Sequence, residues 1–223
     1  MFDISLRPLK DKIFDPLCNL IPESISPGHL TLAAFFTGLL SCIAVFAGHP
    51  YLAVGLWLCN RVLDCLDGAV ARQRQQSTDL GGFFDLLGDF VIYSFIPIAC
   101  ATALPGSSAY HTKRLWGAVA WTEATFHVNN FVLFYIAAIT EKQKAVNATS
   151  GSTDSKKGEG KVKELTSLSM KPALVEGAES GLVFTIMLAK PEWTETLCWA
   201  LAAGVSIGTF QRVSWVVDVL ETH

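Results

Sequence analysis

Six apolar windows, roughly 30–47, 51–71, 80–104, 115–139, 173–189 and 195–219, make up most of this chain, and each is near the length that crosses a bilayer. In hydrocarbon, an open-ended run of that kind satisfies its backbone polar groups by forming a helix. Of the 223 residues, 51% are hydrophobic and only 17% are charged. The expected fold is therefore an all-α membrane protein of six transmembrane helices, with residues 30–223 forming one membrane domain. Residues 1–29 differ. There Leu6, Leu9, Ile13, Leu17 and Leu20 recur at helical spacing with Arg7, Lys10 and Lys12 between them. That pattern suits an N-terminal amphipathic helix at the membrane interface, and equally a helix packed on the bundle. The start, Met-Phe-Asp, lacks a basic n-region and a cleavage site, so the first hydrophobic segment is expected to be retained.

A net charge of −3 excludes a globally basic nucleic-acid binder, and no aromatic-basic interleaving argues for one. The six cysteines, Cys18, Cys42, Cys59, Cys65, Cys100 and Cys198, are scattered without C-x-x-C pairs and read as small apolar residues.

Against this apolar background the stretch from Asp64 to Asp89 stands out. Asp64 and Asp67 are three apart, Asp85 and Asp89 four apart, so each pair shares one face of its own helix. The polar residues Gln73 to Leu80 read as a turn, which makes the two helices antiparallel and lets both pairs approach one point. Ionised carboxylates among apolar helices need neutralisation, and hard oxygen ligands suit Mg²⁺ or Mn²⁺ better than zinc or copper. Gly68, Ala71 and Gly81 clear space on the same faces, and Arg72 adds a cation suited to phosphate. Arg61 and Arg72 are too few to neutralise four acids as a purely structural cluster. Metal-assisted phosphoryl transfer is the chemistry these residues share.

The segment matches, at every fixed position, D-x2-D-G-x2-A-R-x8-G-x3-D-x3-D, and so closely resembles the CDP-alcohol phosphatidyltransferases. The resemblance implies a CDP-linked donor, most simply CDP-diacylglycerol, and an alcohol acceptor whose hydroxyl attacks the phosphorus next to the lipid, releasing CMP. It implies that Asp64, Asp67, Asp85 and Asp89 hold one or two metal ions and that Asp89 accepts the hydroxyl proton. Gly68, Ala71, Arg72, Thr78 and Gly81 fall at donor-binding positions, joined by Thr31 and by Asn60, one turn before Asp64. The family's P-N-x-x-T reads Pro27-Gly28-His29-Leu30-Thr31 here, with Gly28 in place of Asn. A homodimer is a further implication of the resemblance.

Beyond the motif, Glu123, His127 and Asn130 form one polar stripe on the fourth window, which either faces the cavity or makes a buried hydrogen-bonded network or dimer contact. Glu176 and Glu179 lie near the start of the fifth, where Gly177 and Gly181 permit close packing. Arg212 in the last window would pair with one of those acids or bind a phosphate. Glu123, His127, Glu176, Glu179 and Arg212 are thus the acceptor-binding candidates. The scarcity of Arg and Lys on the later helices favours an uncharged or cationic alcohol. Two alternatives stand beside this reading: transfer from CDP-choline or CDP-ethanolamine to diacylglycerol, and a non-catalytic divalent-cation transporter. Residues 140–171 are polar and read as a flexible cytoplasmic loop, and Asn147-Ala-Thr149 there reads as a chance glycosylation sequon.

Twelve of the 17 Lys and Arg lie in the N-terminal segment, around Arg72 and Arg74, and in 140–171, whereas the opposite loops hold only Lys113, Arg114 and Lys190. The positive-inside bias then puts both termini and the motif mouth on the cytoplasmic side. A fluorescent protein fused to the C-terminus should mature and fluoresce, whereas a phosphatase fused there, which folds only outside the cytoplasm, should stay inactive; the reverse pattern overturns this orientation.

Overall fold

The computed structural model describes residues 14, 16–104, 109–149 and 177–221. Among them there is no strand. Six long helices appear: α1 (Pro27–Phe46), α2 (Pro50–Gln73), α3 (Asp79–Ala103), α4 (Ala109–Thr149), α5 (Gly177–Ala189) and α6 (Thr194–Glu221), with a single 3₁₀ turn, Pro191–Trp193, before the last. Each overlaps one apolar window. Two of them, α1 and α3, are long and apolar enough to cross a membrane on length and composition. The helices therefore match the expected windows, while a count of six spans goes beyond these two.

Boundaries follow local chemistry. Pro27 and Pro50 open α1 and α2, since proline at the first turn has its angle preset and needs no amide partner. Between those helices the chain reverses through Gly48, whose φ of +81° suits a residue without Cβ. The turn expected over Gln73–Leu80 is shorter in the structure, because α2 continues to Gln73 and Thr78 caps α3, accepting a hydrogen bond from the Gly81 amide at 3.0 Å.

Two expectations change. Residues 140–149 are helix, the end of the 41-residue α4, and not part of a loop. At 1.5 Å per residue α4 is about 60 Å long, well beyond a hydrocarbon core of about 30 Å. Glu141, Lys142 and Gln143 are good helix formers that continue the preceding turns, and their polarity alone does not end a helix. The rest of the 140–171 segment lies outside the described residues, as does most of the N-terminal stripe. In the part that is described, helical residues run only to Cys18. Its inward contacts come from Phe14, Cys18, Ile21 and Ile25 against Leu63, Leu66, Ala69 and Val70 of α2, while Leu17 and Leu20 of the expected stripe stay on the outside. Phe14 and residues 16–26 are thus packed on the motif helix.

Helix packing is built on small residues. Along α1, Ala34, Gly38, Ser41, Cys42 and Val45 are buried, whereas Leu32, Phe36, Leu40, Ile43 and Phe46 are exposed on the other side. Large apolar groups outward and small ones inward is the arrangement of a helix whose outer face meets lipid. Close approach brings polar groups within reach of neighbouring backbones. Ser41 donates to the Ala53 carbonyl of α2 at 2.8 Å, and Thr122 of α4 to the Cys198 carbonyl of α6 at 2.8 Å. Trp57 of α2, fully buried, donates from Nε1 to Thr185 of α5 at 2.9 Å.

Contacts are distributed unevenly. α1 packs closely on both α2 and α3, α4 packs on α6, and the two motif helices touch one another little. A Cβ at Gly38 would lie 2.9 Å from two Ile92 side-chain carbons and 3.1 Å from Asn60 Nδ2. Gly38→Ala should therefore destabilise the bundle by about 1–3 kcal/mol through overpacking, lowering the thermal midpoint in detergent, and adding Ile92→Val should recover part of the loss.

Candidate active site

The first half of the motif lies on the C-terminal part of α2 and the second half on the N-terminal part of α3. With those helices held apart, a cleft forms between them and α1. Its lining includes Thr31 and Phe35 from α1, Asn60 and Asp64 from α2, and Asp85 and Asp89 from α3. Three of the four carboxylates thus share one space. Gly88, which also faces it, leaves room for Phe35, whose Cδ2 would stand 3.4 Å from a Cβ there.

Asp67 is placed differently. It is buried, does not line the cleft, and its Oδ2 has no hydrogen-bond partner among the described residues. The Thr31 side chain lies within hydrogen-bonding distance of Asp67 and also reaches the Pro27 carbonyl at 3.2 Å. Asp64 and Asp85 approach each other within hydrogen-bonding distance across the cleft. Two facing carboxylates and a buried anionic oxygen without a donor form a set of hard oxygens suited to a divalent cation. Among the described residues, however, no three Asp, Glu, His or Cys side chains already surround a single point as metal ligands do.

Arg61 stands among these carboxylates. The i,i+3 relation points it to Asp64, whose Oδ2 is 3.7 Å from Nη1. Its stronger contact is across the cleft, where Nη2 meets Asp89 Oδ1 at 2.5 Å and Nη1 lies 3.4 Å from Oδ2. Nε donates to Asn60 Oδ1 at 2.7 Å and Nη1 to the Tyr93 hydroxyl at 3.1 Å. The Asn60 amide in turn donates to the Ala34 carbonyl at 2.8 Å. Asn60, expected to touch a nucleotide, is thus held mainly by the protein.

The remaining candidates are spread out. Gly68 lies beside Arg72, whose Nη1 would be 3.2 Å from a Cβ there, and Arg72 itself is exposed near the end of α2. Ala71 accepts the Gln76 amide at 2.8 Å in the turn, and Thr78 and Gly81 are paired in the α3 cap. The neighbouring Arg74 was not singled out by any motif. It donates to the carbonyls of Ile25 and Ile21, both at 2.7 Å, fastening the segment before α1 to the motif turn. A basic residue at a helix C-terminus is the only signal the sequence carried for it.

The acceptor-binding candidates lie outside the cleft lining. Glu123 is half-buried on α4 within hydrogen-bonding distance of Ser94 on α3, whereas His127 is exposed. Arg212 is buried and donates from Nη1 to Asn129 Oδ1 at 2.6 Å, with Thr209 Oγ1 3.3 Å from the same oxygen. Asn129 is next to the predicted Asn130. Glu179 lies on α5, and Glu176 falls outside the described residues.

Comparison with known proteins identifies a family. The model of one family, CDP-alcohol phosphatidyltransferase, matches residues 24–207. The chain is 29% identical over 214 residues to Inner membrane protein YnjF of Escherichia coli (strain K12), covering 96% of this chain and 94% of that protein. It is 30% identical over 128 residues to the Bifunctional IPC transferase and DIPP synthase of Thermococcus kodakarensis, covering 50% of this chain and 29% of the relative. A shorter likeness, 30% over 79 residues, joins 35% of this chain to 40% of the Archaetidylinositol phosphate synthase of Methanothermobacter thermautotrophicus.

Asp67 supplies a sharp test of the donor set. Replacing even a supporting group around a metal costs about 10–100-fold in affinity, so Asp67→Asn should weaken Mn²⁺ binding, followed by electron paramagnetic resonance, by at least about tenfold. Unchanged binding would remove Asp67 from the set.

Proposed function

The chain belongs to the CDP-alcohol phosphatidyltransferase family, and from that premise we propose that it makes a phospholipid by moving the phosphatidyl group of CDP-diacylglycerol onto an alcohol and releasing CMP. The observation that supports this reading most is the convergence of Asp64, Asp85 and Asp89 from two helices on one cleft, with Thr31 from a third. Carboxylates from separate elements facing one space are poorly suited to mere structural pairing.

In this proposal Asp64, Asp67, Asp85 and Asp89 are the residues that hold Mg²⁺ or Mn²⁺. When bound there, the cation supplies positive charge against the negative charge that develops on the diphosphate oxygens. The acceptor hydroxyl attacks the phosphorus next to the lipid, its proton passes to an Asp89 oxygen, and the bond to the CMP oxygen breaks. Gly68, Ala71, Arg72, Thr78 and Gly81, gathered around the α2–α3 turn, receive the donor, with Thr31 and Asn60 on the cleft wall. The exposed guanidinium of Arg72 suits a phosphate there, and Gly68 beside it leaves the space a phosphate needs. A six-span bundle, a cytoplasmic mouth and a homodimer complete the proposal.

For the acceptor, two considerations oppose one another. Few Arg and Lys on the later helices favour an uncharged or cationic alcohol, whereas one archaeal relative is named for an inositol phosphate lipid. An assay panel therefore spans neutral alcohols, amino alcohols and inositol phosphate.

Purified protein with Mg²⁺ and CDP-diacylglycerol should release CMP with one of these acceptors, the lipid product being identified by mass spectrometry. Asp89→Asn should lower turnover by about 10²–10⁴-fold, the range for general-base loss, while Mn²⁺ still binds. Release of CMP only from CDP-choline or CDP-ethanolamine with diacylglycerol would transfer the assignment to that reaction. Cation flux into proteoliposomes without CMP from any donor would make the protein a transporter.

A further inference from the structure

We propose that Arg61 is a positioning residue for Asp89, fixing the carboxylate that takes the acceptor proton, and that it does so in competition with the cation. The proposal rests on the function assigned above. Asp89 is met by both terminal nitrogens of the guanidinium, at 2.5 Å to Oδ1 and 3.4 Å to Oδ2, so its plane as well as its position is set. An aspartate bonded through one oxygen turns about its last torsion; one engaged by a planar fork does not. A general base works only within hydrogen-bond reach of the proton it removes, and a displacement of about 1 Å costs about 10²-fold in rate.

The fork itself is held on every side. Its Nε is fixed by Asn60, which is anchored to the α1 backbone through the Ala34 carbonyl. The Tyr93 hydroxyl accepts from Nη1. The guanidinium carbon lies 4.6 Å from the centroid of Trp57 and 5.4 Å from that of Tyr93. Trp57 is in turn pinned to α5 by its bond to Thr185. Four helices therefore determine where this cation sits. A salt bridge needed only for stability could have been made at the protein surface, and this one is made to two carboxylates that line the cleft.

The same placement sets the direction of the effect on metal binding. The guanidinium lies against Asp89 and 3.7 Å from Asp64, and it is always charged. It takes up anionic oxygen and repels any second cation nearby, so removing its charge should tighten cation binding even as turnover falls. A strut needed only for folding predicts loss of both together.

Three variants test this: Arg61→Met, which keeps a long side chain over Trp57 without charge; Arg61→Lys, which keeps the charge without the fork; and Tyr93→Phe, which removes one support of the fork. Mn²⁺ affinity is read by electron paramagnetic resonance and turnover by CMP release, with thermal midpoints as a check on folding. Arg61→Met should bind Mn²⁺ at least about threefold more tightly and lose at least about tenfold in kcat with little change in KM for the donor. Arg61→Lys should keep the wild-type Mn²⁺ affinity and recover only part of kcat. Tyr93→Phe should lower kcat several-fold with Mn²⁺ affinity unchanged. Weaker Mn²⁺ binding in Arg61→Met, or wild-type kcat in both Arg61 variants, would overturn the proposal. If Arg61→Met does not fold, the Arg61→Lys and Tyr93→Phe pair decides it on the same two readouts. Failure of the wild-type protein to release CMP would count against the proposed function, and the Mn²⁺ measurements would still read the competition.

Discussion

Four aspartates set among apolar helices must be compensated, and that requirement orders the motif half of the bundle. A carboxylate taken out of water among apolar helices is costly unless it is paired, and two that face one another raise the cost through repulsion. The structure offsets part of it with one guanidinium spanning Asp64 and Asp89. Part is left open, since Asp67 keeps a buried oxygen without a donor. A bundle optimised only for stability would have little use for such a group. A site that must receive a cation and a diphosphate has a direct use for it.

The way the helices pack follows from that demand. If α2 and α3 packed against each other along their motif faces, the carboxylates would be driven together with no space between them. Instead α1 packs on both and keeps them apart. Its own inward residues are small, Ala34, Gly38 and Ser41, so it comes close enough for Asn60 to bond its backbone. The link from Ala34 through Asn60 and Arg61 to Asp89 then joins three helices at the cleft. On the other side, Arg74 fastens residues 21–25 to the motif turn, which fixes the start of α1 and with it Thr31. Polar side chains serve here as ties between helices, as expected where apolar burial alone gives lipid-facing helices little reason to associate.

Away from the motif, the later helices form a separate polar cluster. Arg212, Thr209 and Asn129 lie together, buried between α4 and α6. Such a cluster fixes the register of the two helices, because sliding either by one turn would strand a buried guanidinium. An amide carbonyl meets the Arg212 guanidinium there at 2.6 Å.

Much of this was legible along the chain, and the reasons are physical. Hydropathy located the helices because each apolar window has few ways to satisfy its backbone, and the i,i+3 and i,i+4 spacings put each Asp pair on one face because helix geometry is local. Prolines at 27 and 50 and the cap at Thr78 act within a turn of themselves, so those ends are set by local chemistry. The continuation of α4 through residues 140–149 was not, because polarity marks exposure and carries little information on helix breaking. What only the tertiary structure decided is which groups meet across helices. Arg61 was within reach of Asp64 three residues on, and the placement of α3 added Asp89 as its nearer partner. Asp67 was equivalent to Asp64 in the motif, yet packing buried it beside Thr31, just behind the cleft lining. Glu123, His127 and Arg212 had intramembrane polarity in common, and packing sent them to Ser94, to the surface and to Asn129. Local rules fix what a residue can do within its own helix, whereas its partner depends on the relative placement of helices that no spacing along the chain records.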